Sequence, residues 1–279
     1  MRDHGGMNDR VLPTRPVIGV LHPGAMGAAL GSALKPVAGQ VIWAAAGRSD
    51  TTAKRAEIAD LVGVPTVAEL ARRSDIVVSI CPPHAALDVA GQVASSGATP
   101  ACYLDANAIA PATVQRIGAL LGADHVVDGS IIGGPVYQRG DTVLWLSGRH
   151  AEDVAGLFDG SPFVTRVLGG ELGAASALKA CFALHSKAKP AIWLALAAAA
   201  EAYGILDEVR GELARDGVDL DDELASINGR ARSKAWRWAG EMDEAAAALA
   251  AVDVPDGFSR AAAEIYRRLS TDLNGERST

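Results

Sequence analysis

The stretch "VIGVLHPGAMGAALGSAL", Val17 to Leu34, passes from a β-branched run through a glycine turn into small, helix-forming residues. Val17–Leu21 reads as a short buried strand and Ala25–Ala38 as a helix. In a dinucleotide-binding Gly-x-Gly-x-x-Gly turn, the first glycine permits the tight turn. The second lets the backbone approach the pyrophosphate, and the third lets helix and strand pack closely. Gly24 fits the second role and Gly27 the third, while His22-Pro23 stands at the first. Pro23 drives His22 into an extended or polyproline conformation, which still carries the chain out of a strand. Free N–H groups at Ala25 and Met26 leave an anion site at the helix start. A plain strand-to-helix corner is the alternative, and His22 is either a polar cap on the loop or a phosphate contact.

Outward from this turn, strand and helix signals alternate. Further strands are expected at Val41–Ala45, Ile76–Ile80, Ala101–Leu104, Val126–Val127, Thr142–Ser147 and Phe163–Leu168, with helices at Thr51–Val62 and Pro111–Leu121. Such a rhythm implies a mostly parallel sheet covered on both faces. After Gly169-Gly170 the pattern becomes helical. Glu171–Ala202 reads as one long helix, disturbed at Pro190, which lacks an N–H and would clash with the carbonyl of Ser186. Shorter helices follow around Leu206–Arg215, Asp221–Ala225, Ala231–Ala251 and Ser259–Ser270. The expected organisation is a tail over 1–15, an α/β Rossmann domain over 16–168, and an all-α domain over 169–279 for substrate and dimer contacts, joined through the long helix.

Composition narrows the function. The 279 residues carry a net charge of −7 and 49% hydrophobic residues, with no long run of one sign. A nucleic-acid surface is not expected. "PAIWLALAAAA" is too short, and too closely flanked by Lys and Glu, to span a bilayer. Residues 1–16 lack the apolar core of a signal peptide. Cys81, Cys102 and Cys181 form no close pair, so a reduced, cytoplasmic setting is expected. No His/Cys/Asp/Glu cluster has metal-ligand spacing, and no metal is expected.

The end of the second strand sets the cofactor. No acid stands there for the ribose hydroxyls, and Arg48 and Ser49 lie in the loop instead. A guanidinium and a hydroxyl suit a 2′-phosphate, favouring NADP(H) over NAD(H). The other reading makes Arg48 a solvated cation and Ser49 a helix cap.

The order of these motifs resembles the β-hydroxyacid dehydrogenase superfamily, which includes 3-hydroxyisobutyrate, semialdehyde, 6-phosphogluconate and imine-reducing enzymes. "GVLHPGAMG" resembles its nucleotide turn, with Met26 at the usual methionine. "SDIVVSICPPHAAL" resembles its fourth strand and the loop under the cofactor, Cys81, Pro82 and Pro83. "YLDANAIAPATVQRI" resembles its D-x-S-T-x-x-P segment, with Asn107 where Ser or Thr is common. "VDGSIIGGPV" resembles the substrate segment, with Ile132 in a serine's place before Gly133 and Gly134. "LGAASALKACFALHSKAKPA" resembles the segment of the catalytic lysine and puts Lys179 at that position. "KAWRWAGEMDEAAAALAAVDVPDGFSRAAAEIYRRL" looks like a branch whose C-terminal domain carries a domain-of-unknown-function label. The resemblance implies an NAD(P)-dependent hydride transfer on a small hydroxy acid or semialdehyde-like substrate, in a homodimer with intertwined C-terminal helices. The lysine helix departs from K-x-x-N-N: Ala183 stands where the second, substrate-binding asparagine belongs.

The residues can also be weighed alone. The helix stripe through Lys179 holds Leu172, Ala175, Ser176, Ala183, Ser186 and Pro190, so this lysine faces inward. A lysine in a dry site loses its proton more easily, which suits acid/base work. A snorkelling lysine is the alternative, a role that Lys187 and Lys189 fit better. His185, about 120° away on a helical count, suits packing or an interface. Gly133-Gly134 can donate N–H groups to an anion, or simply turn the chain. Arg237, between Trp236 and Trp238, can meet an anionic substrate or sit at a dimer interface. The active site is expected at the domain junction, beyond the C-terminal ends of the strands. An imine reductase and a non-catalytic dinucleotide-binding regulator are the alternative functions.

Overall fold

The structure, a computed structural model, describes residues 13–231 and 234–276. Most of the expected tail, residues 1–12, lies outside them. The chain forms two compact units. The first comprises the residues up to Cys81, Ala85–Asn107 and Thr113–Ala175. The second comprises Pro82–His84, Ala108–Ala112 and the residues from Ser176 onward.

The first unit is built on eight strands: β1 (Val17–Val20), β2 (Gln40–Ala44), β3 (Val62–Val64), β4 (Ile76–Ser79), β5 (Cys102–Asp105), β6 (Val126–Ile132), β7 (Val143–Ser147) and β8 (Val164–Val167). Their order in the sheet is β3-β2-β1-β4-β5-β6-β7-β8. β1 to β6 are parallel, β7 runs antiparallel to β6, and β8 parallel to β7. Chain order reverses between β1 and β4, the position where doubly wound sheets open a ligand crevice. Val20 pairs with both Trp43 and Val78, so the loops after β1, β2 and β4 leave the sheet at one edge. Ile18, Val20, Val41, Ile76, Val78, Leu104 and Val127 are buried, as the apolar runs of a sheet covered on both faces require.

Six helices accompany the sheet: α1 (Ala25–Leu34), α2 (Asp50–Ile58), α3 (Val67–Arg73), α4 (Ala86–Ser95), α5 (Pro111–Leu121) and α6 (Ala151–Gly156). The helix expected over Thr51–Val62 stops at Ile58. Asp60 takes φ 53°, a left-handed turn that ends the helix and releases Val62–Val64 to pair with β2. Three residues are too few for a sequence period to reveal β3, and α3 and α4 were missed for the same brevity or small-residue content.

The long helix is present as α7 (Ala174–Ala183), a π-helical turn at Leu184–Ala188, and α8 (Lys189–Tyr203). Pro190 disturbs it as expected, and the disturbance takes the form of that π turn. The phenolic O–H of Tyr266 donates to the Lys187 carbonyl at 2.7 Å, satisfying an acceptor inside the turn. Gly204, at φ 69°, ends α8 in the left-handed conformation. Then come α9 (Leu206–Arg215), α10 (Leu220–Ala231), α11 (Ala235–Ala250) and α12 (Gly257–Glu276). α10 runs six residues beyond the stretch expected at Asp221–Ala225, and residues 232–233 lie outside the described ones. Ala180, Ala183, Ala188, Ala239, Met242, Ala245, Ala263 and Tyr266 form the core of this unit. Alanine faces let these helices approach closely around the ring of Tyr266.

Candidate active site

In the first unit, the loops after β1, β2 and β4 bring His22, Arg48 and Cys81 within electrostatic reach. Nδ1 of His22 and Nε of Arg48 are both buried without a hydrogen-bond partner. Burial, then the Arg48 charge, pushes His22 down to about 4, so it is neutral at pH 7. Burial also lowers Arg48, with Cys81 opposing. Two buried polar atoms thus stand unpartnered on the loops at the C-terminal ends of β1 and β2.

The glycines divide their roles. A Cβ on Gly27 would collide with the carbonyl oxygen of His22 and meet Ile80 at 2.9 Å. Gly27 therefore lets α1 pack on the end of β1. Gly24 has ordinary extended backbone and open space beside it. Nothing within the protein requires glycine there, so its bare face is available to an approaching ligand. Its N–H donates to the His22 carbonyl at 2.9 Å and closes the turn. Pro23 is buried, Ala25 exposed, and Met26 packs on the sheet core.

Ser49 caps α2: its hydroxyl accepts from the Thr52 N–H at 3.3 Å and shares a 3.2 Å hydrogen bond with the Thr52 hydroxyl. Asn107 is 1% exposed. Its side chain donates to Ser79 Oγ (3.1 Å) and Asp105 Oδ2 (2.9 Å) and accepts from the Cys81 N–H. It thus ties the end of β5 to the end of β4 and fixes where Cys81 sits. Pro82 and Pro83 follow, grouped with the second unit. Ile132 ends β6. Gly133 has φ 128°, and a Cβ there would strike Thr142. Thr142 Oγ1 donates to the Gly134 carbonyl at 2.8 Å, which fixes the turn.

In the second unit, α7 presents Lys179 to α11. Burial pushes Lys179 down to about 8, with Glu241 pulling it up and Lys187 and Arg237 pushing it further down. Glu241 is 7% exposed and bonded at 2.8 Å to Nζ of Lys187 and at 2.8 Å to Nε of Arg237. Burial alone would raise Glu241, but Lys187, Lys179 and Arg237 outweigh it and hold the carboxyl at about 2. Three cations thus surround one carboxylate. Glu241 went unread in the sequence, where its only signal was the i, i+4 spacing from Arg237. Lys187, read as a snorkelling lysine, is instead committed to this ion pair, whereas Lys189 is exposed. His185 is exposed beside Phe182, with ring centroids 5.7 Å apart. Ala183 lies in the helical core. Trp238 stacks edge-on against Tyr266, and Trp236 is 53% exposed.

A doubly wound sheet with a glycine turn, followed by a helical unit, is an architecture shared with 3-hydroxyacid dehydrogenase-like proteins. Residues 200–269 match a domain of unknown function, DUF1932. An uncharacterized 28.5 kDa protein in the 7S RNA 5′ region of Methanothermus fervidus is 30% identical over 163 residues, 58% of this chain and 62% of that one. The chain therefore aligns with less than two thirds of that relative. Among solved structures, the conserved protein MTH1747, of unknown function and similar to 3-hydroxyacid dehydrogenases, is 26% identical with a TM-score of 0.65, over 92% of this chain and 98% of that one. The Mycobacterium tuberculosis 3-hydroxyisobutyrate dehydrogenase, solved with L-serine, has a TM-score of 0.68 at 17% identity, over 93% and 95%. Reductive aminases and imine reductases share the fold at TM-scores of 0.51 to 0.55, some in complex with NADPH and one with NAD+. Among the described residues, no helix is long and apolar enough to cross a membrane, and no group of three or more His, Cys, Asp or Glu could hold a metal ion.

Proposed function

We propose that this chain is an NAD(P)-dependent oxidoreductase acting on a small hydroxy acid or the corresponding oxo, semialdehyde-like compound, with Lys179 as general acid and base. The observation that carries the reading is a half-buried lysine, pushed down to about 8, beside the Lys187–Glu241–Arg237 cluster, in a fold shared with dehydrogenases. The dinucleotide supplies or accepts the hydride when bound. The bare face of Gly24 and the N–H groups of Ala25 and Met26 suit its pyrophosphate. The unpartnered Arg48 Nε, with the unpartnered His22 Nδ1 and the Ser49 hydroxyl, suits a 2′-phosphate, so NADP(H) is favoured over NAD(H). Pro23 fixes the entry to that turn, and Asn107 holds the Cys81 N–H at the end of β4.

In reduction, Lys179 gives a proton to the carbonyl oxygen as the carbon takes hydride; in oxidation it accepts the alcohol proton. Lys187 and Arg237 together with Lys179 exceed Glu241 by two positive charges, which suits an anionic group on the substrate. Ile132, Gly133, Gly134 and Ala183 are the remaining substrate-side positions that the resemblance implies. The retained lysine distinguishes this reading from an imine reductase, and the shared fold keeps imines in the test. A homodimer, and a cytoplasmic setting, complete the proposal. α8 and its surroundings expose Ile192, Tyr203 and Ile205, apolar surface that a second copy would cover.

Fluorescence titration with NADPH and NADH, followed by a panel of β-semialdehydes, oxoacids and cyclic imines, tests this. Tighter NADPH binding and turnover of an oxo compound are expected. Turnover of imines alone reassigns the substrate, and binding without turnover on the whole panel leaves a non-catalytic dinucleotide-binding protein. A monomer by light scattering at micromolar concentration removes the dimer.

A further inference from the structure

The π turn changes which residues share the lysine face. Lys179 and Lys187 are eight residues apart. In a regular α-helix, at about 100° per residue, their side chains would point about 80° apart. A π turn takes up one extra residue without advancing the helix face, which brings the two within about 20°. That register sets Lys187 over Glu241, at 2.8 Å, on the same side as Lys179. Tyr266 on α12 holds the Lys187 carbonyl, so the turn is fixed from a second helix. From α11, Arg237 reaches Glu241 one helical turn earlier. The charged groups that face Lys179 are therefore Lys187 from its own helix and Glu241 and Arg237 from α11.

Resting on the reading of Lys179 as the proton-transfer group, we propose that Glu241 is its positioning residue: it clamps Lys187 and Arg237 beside Lys179 and keeps Lys179 charged while no substrate is present. A carboxylate buried to this degree is tolerated only because it is paired. Two cations close to a third can share that face only because one anion lies among them. Without Glu241, like-charge repulsion and burial both act to strip the proton from Lys179. The register and the carboxylate are one device: the π turn delivers the second cation, and Glu241 makes its presence compatible with a charged Lys179.

The test is an NMR titration of lysine side chains in the whole protein, free of substrate and dinucleotide, with the Lys179 signal assigned by its loss in Lys179→Arg. Glu241→Gln is expected to move the Lys179 midpoint downward by about one pH unit or more, and Lys187→Gln to move it upward. A purely structural Glu241 would change thermal stability and leave the midpoint in place, and that result overturns the proposal. If Glu241→Gln does not fold, Lys187→Gln and Arg237→Gln decide: no upward shift in either overturns it. Opposite shifts in a protein that turns over nothing would support the clamp and defeat the oxidoreductase reading, so the two fail separately.

Discussion

Nζ of Lys187 lies 2.8 Å from the carboxylate of Glu241, and the π turn at Leu184–Ala188 is what turns it there. Such a turn leaves carbonyls without the usual helical donor, and the buried Tyr266 supplies one to Lys187. Tyr266→Phe keeps the ring that packs against Trp238 and removes only that donor. A buried acceptor without a partner costs about 1–3 kcal/mol. Urea unfolding should show a loss in that range. A change below a few tenths of a kcal/mol would show that the carbonyl finds another donor and that Tyr266 does not hold the turn.

Gly27→Ala probes the other unit. The new methyl would collide with the His22 carbonyl and press on Ile80, so α1 must move off the strand end or the turn must open. Either movement displaces the N–H groups of Ala25 and Met26 from the position proposed for the phosphate. Dinucleotide affinity should fall at least about tenfold, equivalent to about 1.4 kcal/mol. Gly24→Ala meets no protein atom within 4 Å, so it should leave melting temperature nearly unchanged while weakening NADPH. Unaltered NADPH binding in Gly24→Ala would remove the pyrophosphate from that face.

The pH dependence follows from Lys179, held at about 8. The reductive reaction needs its protonated form, so kcat for reduction should be flat below about 8 and fall above it. The oxidative reaction needs the neutral amine, so its kcat should rise through the same region. His22, at about 4 in the free protein, contributes nothing to either limb above pH 6. Parallel limbs in the two directions, measured where chemistry is rate-limiting, would exclude Lys179 as the group that exchanges the proton.

The sheet and the glycine turn after β1 were legible because parallel strands buried on both faces leave short apolar runs, such as Ile76–Ser79, bounded by turn residues. Gly27 was legible because its role is steric and local. β3 was not, since three residues carry no period and a left-handed Asp60 is invisible in the sequence pattern. In the second unit the helix stripe made the small residues around Lys179 legible, but not its charged neighbours. A period of 3.6 residues was applied across a stretch that is not α-helical, and this turned Lys187 away from its true face. Glu241 lies on a helix 62 positions later in the chain, and no local spacing connects it to Lys179. Pairings of that kind belong to tertiary structure, and the sequence offered only the i, i+4 relation to Arg237.

Lys179 itself gives the last prediction. Lys179→Ala should lower kcat by about 10²–10⁴-fold, the range for a positioned proton-transfer group. Dinucleotide affinity should change little, because the residues proposed for its phosphates belong to the other unit. Lys179→Arg should rescue little activity, since a guanidinium does not give up its proton near pH 7. It also adds bulk to a face already holding Lys187 and Arg237 against one carboxylate. Stability should respond in the opposite sense to activity: burial, with Lys187 and Arg237, opposes the Lys179 charge more than Glu241 favours it, so the melting temperature of Lys179→Ala should hold or rise. A lysine that served only to cover apolar surface would give the reverse pattern, with a lower melting temperature and nearly intact turnover. More than about half of wild-type kcat in Lys179→Ala, with chemistry rate-limiting, would assign the proton to solvent or another group and end the role proposed for Lys179.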